Sequence, residues 1–381
     1  MKILLIGNYV NNQQQSMQRF AEMLHKGLLA AGHQVRLLRP PVMVGRIRRG
    51  STGLGKWIGY IDQFVLYPII LRRQALWADI VHICDQANVV YIPHLRDKPH
   101  VVTCHDVLAI RAALGEIRET RTGWTGRIFQ QWILRNLRKA RRITCVSKQT
   151  ASELHRLTGL TDNAVNVVPN ALTYSYRPMP VEEAKQHLSA LGIGDSQLFF
   201  LHVGGNQWYK NRMGVLRIFA ELVHMPQFRS SRLVMAGQPL SSEMRRFARE
   251  HRFEDRLLER VNITNEQLCA MYSTAEALLF PSLQEGFGWP IVEAQACACP
   301  VVTTGRPPMT EVGGEAAIYI DPADISGATR IIAAALMEPG CWQAAGLKNA
   351  GRFSENTMIE SYLSAYRASI EESSTLLIGM P

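Results

Sequence analysis

Two carboxylates, a lysine and a histidine stand where their chemistry can act on a ligand. Glu285 and Glu293 have seven residues between them and frame Gly286, Phe287 and Gly288, within the stretch PSLQEGFGWPIVEAQACACPVVTT at 281–304. The two glycines let backbone N–H groups approach a bound molecule closely. Glu285, in the loop, can bond sugar hydroxyls. Glu293, read as lying in the first turn of a helix, can reach a ribose. The same acids also complement the partial positive charge of a helix start, which favours them for stability alone. Lys210 follows Gly204 and Gly205 in the run LHVGGNQWYKN and precedes a helical pattern. A lysine beside a helix N-terminus in a glycine loop suits a diphosphate. His105 closes the run VVTCH. Strand ends of this kind carry function in open α/β sheets, although a structural cap is the plainer role for a single histidine.

The elements that must hold these residues follow from the apolar pattern. ALLF at 277–280 is short and wholly apolar, as a buried parallel strand requires. Pro290 suits the first position of a helix whose apolar side is Ile291, Val292, Ala294, Ala296 and Cys297. Pro300 stops that helix, and Val301 and Val302 begin another strand. The chain opens in the same way, with KILLIG, a helix over about 16–31, and a strand at 35–38. Strands at 79–83, 101–104, 143–147 and 165–170 continue the alternation, and it restarts at 198–203 and 232–237 after a proline-bearing linker at 176–180. At 381 residues there is length for two cores. The prediction is an α/β chain of two doubly wound domains, residues 1–176 and 177–355. An oxidoreductase of this architecture would carry G-x-G-x-x-G after its first strand, and GNYVNN is not that.

Hydrophobic residues make up 47% and charged residues 19%, as in a soluble enzyme, and no run is long enough to span a bilayer. MKILLIGNYV reads as a core strand rather than a signal peptide, which points to a cytoplasmic protein. The seven cysteines fall mostly in apolar runs, as buried reduced thiols do, and show no metal-ligand spacing. Charge is lopsided: residues 1–176 hold 24 of the 42 Lys and Arg but only 10 of the 32 Asp and Glu. Such a field favours an anionic partner, and a phospholipid surface, lipid pyrophosphate or acidic glycan fits better than nucleic acid, for which no base-reading module is present. Two segments concentrate the charge. Residues 46–73 mix arginines with Trp57, Ile58, Tyr60, Ile61, Phe64, Val65 and Tyr67, as either an interfacial segment or a core helix with solvated ends, and Asp62 and Pro68 interrupt the pattern. Residues 111–142 carry nine Arg or Lys and two Glu around an apolar stripe, as either a solvated face or a cationic rim.

The whole stretch 281–304 resembles the donor-site signature of retaining glycosyltransferases of family 4, which have the GT-B fold. Thr103-x-His105-Asp106, the segment ITCVS at 143–147, Pro169-Asn170, Lys210-Asn211, RLVMAG at 232–237 and AIYIDP at 317–322 are similar to further family segments. The resemblance implies two Rossmann-like domains facing a cleft, with the C-terminal helix at 356–381 packing back on the first. It implies a nucleotide diphosphate sugar held mainly by the second domain. Gly204, Gly205 and Lys210 would meet the diphosphate, the backbone at Asn262 the base, and Glu293 the ribose. Glu285, Gly286, Phe287 and Gly288 would meet the sugar, and His105 the donor sugar or the acceptor. His105, Lys210 and Glu285 would be the catalytic set. Neither a metal nor another cofactor is expected, and transfer would proceed with retention. Similarity to bacterial mannosyltransferases suggests GDP-mannose as donor, with UDP-sugars open, and a lipid-linked or polysaccharide acceptor at the inner membrane surface, to which the protein would bind peripherally. Two arginines common in the family are replaced, by Tyr209 before the lysine and by Gly204 six residues ahead of it. A non-catalytic GT-B subunit that binds a partner glycosyltransferase is therefore the alternative.

Overall fold

The computed structural model describes residues 1–12, 15–43, 59–95, 98–194, 197–338 and 340–378. The chain divides into two compact units, Met1–Thr173 together with Glu355–Pro381, and Tyr174–Ser354.

In the first unit six parallel strands form one sheet: β1 Lys2–Ile6, β2 Gln34–Leu38, β3 Ile80–Ile83, β4 His100–Cys104, β5 Arg142–Cys145 and β6 Val165–Val167. Their order is β2-β1-β3-β4-β5-β6. Every residue of β3 and β4 is buried, as expected when helices cover both faces of a parallel sheet. Leu4, Ile6, Val81, Val102 and Ile143 pack against Leu71, Leu134, Leu137 and Leu154 from the flanking helices. The last helix, Glu355–Ile378, returns to this unit after the second has been completed. It docks through a buried polar chain. Tyr366 Oη lies 2.6 Å from His82 Nδ1, His82 Nε2 is 2.8 Å from Thr103 Oγ1, and Thr103 is 2.9 Å from Tyr362 Oη. Burial pushes the His82 pKa down to about 3, so the ring is neutral in the folded chain.

The second unit repeats the plan with β7 Phe199–Gly204, β8 Arg232–Gly237, β9 Leu257–Arg260, β10 Ala277–Phe280, β11 Val301–Thr304 and β12 Ile318–Ile320. All are parallel, in the order β12-β11-β10-β7-β8-β9. The connection direction therefore reverses between β10 and β7, and in the first sheet between β1 and β3. These are the topological switch points where doubly wound sheets bind ligands, outside the C-terminal ends of the strands.

Local details depart from the sequence reading. The helix after β10 spans Trp289–Ala296, so Pro290 is its second residue and Glu293 lies in the second turn, not the first. Its start is set by Gly288, the N-cap with φ 103°, which places the first helical residue one position earlier than the sequence reading did. It ends four residues before Pro300, where Ala298 takes the left-handed conformation, so Pro300 is not what stops it. Of the segment 46–73, residues 46–58, with Trp57 and Ile58, lie outside the described residues. The rest is continuously helical through Asp62–Leu66 and Tyr67–Trp77. Asp62 opens a π-helical stretch, Asp62–Leu66, and stands in the apolar pattern as a buried carboxylate that accepts from Tyr9 Oη (3.1 Å) and the Met43 N–H (3.2 Å). Pro68 is the second residue of Tyr67–Trp77 and directly follows the π-helical stretch. Six cysteines are buried and Cys341 is exposed. Cys297 has Cys269 beside it, with the sulfurs 3.7 Å apart.

Candidate functional site

The loops after β7 and β10 flank the switch point of the second sheet, and they carry Lys210 and Glu285. β7 ends at Gly204, which pairs with Gly237 of β8. Gly237 has φ 129°, and a Cβ there would stand 2.4 Å from the Gly204 carbonyl oxygen, so only glycine lets the two strand ends close up. The chain then makes a single turn, Trp208–Lys210, before the Arg212–Leu222 helix. Asn211 joins the two loops. Its side chain caps the helix by accepting from the Gly214 N–H (3.2 Å), and its Nδ2 donates to the Pro281 carbonyl (3.0 Å). The Leu283 N–H adds a bond to the Tyr209 carbonyl (2.7 Å). Thr304 Oγ1 donates to the Ser282 carbonyl (2.6 Å), fixing the β10 loop from its other side.

This scaffold brings Lys210 and Glu285 into contact. Lys210 Nζ donates to both carboxylate oxygens of Glu285, at 2.8 and 2.9 Å, and the side chains are only 16% and 8% exposed. The ammonium also lies 5.2 Å from the centre of the Phe280 ring and 5.6 Å from that of Tyr209. The cation suited to a diphosphate and the anion suited to sugar hydroxyls thus form one ion pair.

The other residues singled out by sequence are spread around this pair. Gly205 and Gly286 lie in the two loops. Phe287 is buried, edge-on to Trp289 and Phe353. Gly288 is the N-cap of the Trp289–Ala296 helix, whose partial positive charge faces the same strand end. Glu293 is buried and accepts from Tyr272 Oη at 3.0 Å. Asn262 is exposed, with φ 54°, beyond the end of β9. Two strand spacings separate β9 from β7, about 10 Å, so Asn262 sits apart from the Lys210–Glu285 pair. His105 belongs to the first unit, just past β4. It is buried, and its Nε2 donates to the Cys84 carbonyl (2.9 Å), which puts the ring proton there. Burial lowers its pKa, opposed by the nearby charge of Asp85.

Sequence reasoning missed two groups. One lies at the switch point of the first sheet: Asn8 donates to Asp85 Oδ2 (2.5 Å), Asn88 donates to Asn8 Oδ1 (3.0 Å), and Asp85 Oδ1 accepts from the Ala87 N–H (2.8 Å). Asn8 follows β1 and Asp85 follows β3, so strand order was the signal that could have joined them. The other is His202 with Arg212, buried on either side of the Gly204 turn. No spacing rule marks these, since a histidine inside a strand and an arginine at a helix start have many uses.

Residues 17–174 match the family model Glycosyltransferase Family 4, and residues 184–357 match Glycosyl transferases group 1. The O-antigen chain mannosyltransferase B of Escherichia coli is 26% identical over 313 residues, 79% of this chain and 79% of its own. Sucrose-phosphate synthase from Thermosynechococcus elongatus shares the fold with a TM-score of 0.74 over 96% of this chain and 98% of its own, at 18% identity. HepE of Anabaena, solved with UDP and glucose, does so with a TM-score of 0.70 over 97% and 100%, at 16% identity. With two Rossmann-like units in sequence and both halves matched in order, the chain is a nucleotide-sugar-dependent glycosyltransferase of the GT-B fold, family 4 in its first half and group 1 in its second.

Proposed function

We propose that the chain transfers a hexose, mannose from GDP-mannose in the first instance, to a lipid-linked or polysaccharide acceptor in bacterial glycan synthesis, with retention and without a metal. The observation that carries this reading is the Lys210–Glu285 pair at the switch point of the second sheet. On donor binding the pair opens. Lys210 turns to the diphosphate, and Glu285 takes the hydroxyls of the sugar. Negative charge grows on the leaving diphosphate as the glycosidic bond breaks. Lys210 and the N-terminus of the Trp289–Ala296 helix stabilise that charge electrostatically, in the role a metal could otherwise fill. The acceptor hydroxyl attacks from the face the diphosphate is leaving, and a departing phosphate oxygen takes its proton. Glu293, held by Tyr272, serves the ribose, Asn262 the base, and His105 the acceptor or the donor sugar. Mannose is favoured by the similarity to the O-antigen mannosyltransferase.

A peripheral membrane site on the first unit is part of the same reading. Ile61, Val65 and Ile69 are exposed at every fourth position of one helical run, and Trp124, Ile128 and Trp132 at every fourth position of the Trp124–Leu137 helix. Phe64 joins the two stripes, its ring 5.5 Å from that of Trp132. Exposed Arg72, Arg73, Arg118, Arg121, Arg127 and Arg135 accompany them. Apolar side chains with arginines around them suit an anionic bilayer surface, and among the described residues no helix is long and apolar enough to cross one.

The test is a thermal-shift panel of GDP, UDP, ADP and their sugars, with and without EDTA. Stabilisation by one nucleoside diphosphate, unchanged by EDTA, is expected. No shift with any of them would favour the non-catalytic alternative.

A further inference from the structure

Arg212 opens the Arg212–Leu222 helix, two residues after Lys210, and is 2% exposed. Its Nη1 donates to Asn206 Oδ1 and, at 3.3 Å, to the Pro239 carbonyl. Its Nε and Nη2 are buried and have no hydrogen-bond partner among the described residues. Nor does any carboxylate among them come within ion-pair distance. Glu259, the acid that acts on it from farther off, is engaged by Arg245 (2.8 and 3.0 Å) and the Leu240 N–H (2.6 Å).

This is an unfavourable place for a bare guanidinium. Arginine keeps its proton, so the charge cannot be shed, and a buried charge without a counter-ion is costly. The helix start adds a second penalty, because its own partial charge is positive. An apolar side chain would pack here at less cost. An anion removes both penalties together.

The geometry of the unpaired edge says which anion. Nε and Nη2 are the side edge of the guanidinium, two parallel donors that match two oxygens of one phosphate. The opposite end is fixed by Asn206 and Pro239, so the plane is preset. Asn206 is exposed and tied by its N–H to Gln238 Oε1 and by its Nδ2 to the Pro239 carbonyl, both at 2.8 Å. Under the same turn lies His202, fully buried, its Nδ1 bonded to the Leu279 carbonyl (2.8 Å). Burial pushes its pKa down to about 3, and the charges of Arg212 and Lys210 push the same way. A Cβ on Gly204 would lie 3.1 Å from His202 Nε2 and 3.6 Å from Lys210 Cδ, so the Gly204 turn sits directly over them.

We propose that the Nε–Nη2 edge of Arg212 is a phosphate-binding edge which, with Lys210, takes the diphosphate of the nucleotide sugar and makes up for the arginines replaced at Tyr209 and Gly204. The proposal rests on the donor-site reading of the second unit.

Calorimetric titration tests it, with the matching nucleoside diphosphate and inorganic pyrophosphate as probes. Arg212→Met removes the charge at similar volume, and Arg212→Lys keeps the charge without the fork. Diphosphate affinity is expected to fall about ten- to hundred-fold in Arg212→Met, and measurably in Arg212→Lys. Pyrophosphate binding should be lost, while unliganded Arg212→Met melts no lower than the wild type because an unpaired buried charge has gone. Wild-type affinity for both probes in a folded variant would overturn the proposal. So would a large drop in unliganded melting temperature with affinity intact, which marks a structural arginine. If Arg212→Met does not fold, the Arg212→Lys affinities decide by the same criteria. A wild-type chain that binds no nucleoside diphosphate would refute the donor-site reading, and this proposal with it.

Discussion

Replacing Glu285 by glutamine separates the two roles assigned to the Lys210–Glu285 pair. The ammonium and carboxylate are about 3 Å apart, and at an effective dielectric of about 20 their gross attraction is about 5.5 kcal/mol. Desolvation offsets much of this, because the side chains are only 16% and 8% exposed. The amide keeps the shape but leaves Lys210 without its counter-charge, at a cost of about 1–3 kcal/mol to the unliganded protein. The same change frees Lys210 for the diphosphate. Affinity for the nucleoside diphosphate should therefore rise, about ten-fold for each 1.4 kcal/mol no longer spent on opening the pair. Transfer should collapse, with kcat/KM falling about 100-fold or more, because a charged hydrogen bond to the sugar is lost. Calorimetry for the diphosphate and a diphosphate-release assay for turnover measure the two halves. Turnover within about two-fold of wild type would refute the sugar role of Glu285. Diphosphate affinity falling together with turnover would refute the division of labour between the two residues.

Three further outcomes are expected. His82 and His202, one in each unit, both have their pKa pushed from 6.5 to about 3 by burial. The unfolded chain binds protons that the folded chain refuses, so stability is full above pH 6.5 and falls as pH drops toward 3, by about 1.4 kcal/mol per pH unit for each histidine. Denaturant midpoints that stay flat between pH 6.5 and 5 would contradict this. Gly237→Ala should cost more than about 2 kcal/mol, since the added carbon would meet the Gly204 carbonyl at 2.4 Å with φ at 129°, and an unchanged melting temperature would show that the strand ends tolerate separation. Binding to anionic liposomes should fall steeply with salt and weaken in Trp124→Ser, because 75% of that side chain's residue surface is exposed beside arginines. Salt-independent or absent binding would remove the membrane site.

The fold was legible because its grammar is local. Short apolar strands, helices between them and glycine turns at strand ends spelled out two parallel sheets, and Lys210 and Glu285 read as following two strands, while their contact did not show in the sequence. What could not be read depended on register or on distance in sequence. Glu293 moved from the first turn to the second because one left-handed residue, Gly288, sets the helix start. The hydrogen bond that holds the buried Asp62 comes from Tyr9, 53 residues earlier. Asn8 and Asp85 meet only because β1 and β3 are neighbours. Arg212 carried no signal in its residue type; what marks it is the donors it leaves unpaired once the loop has folded.

The most direct test of the account is the structure of the chain with a bound nucleotide sugar. The account predicts the diphosphate at the ends of β7 and β10, with Lys210 turned from Glu285 onto a phosphate oxygen and Glu285 on the hydroxyls of the sugar. A nucleotide seated elsewhere, with the Lys210–Glu285 pair still closed, would contradict it.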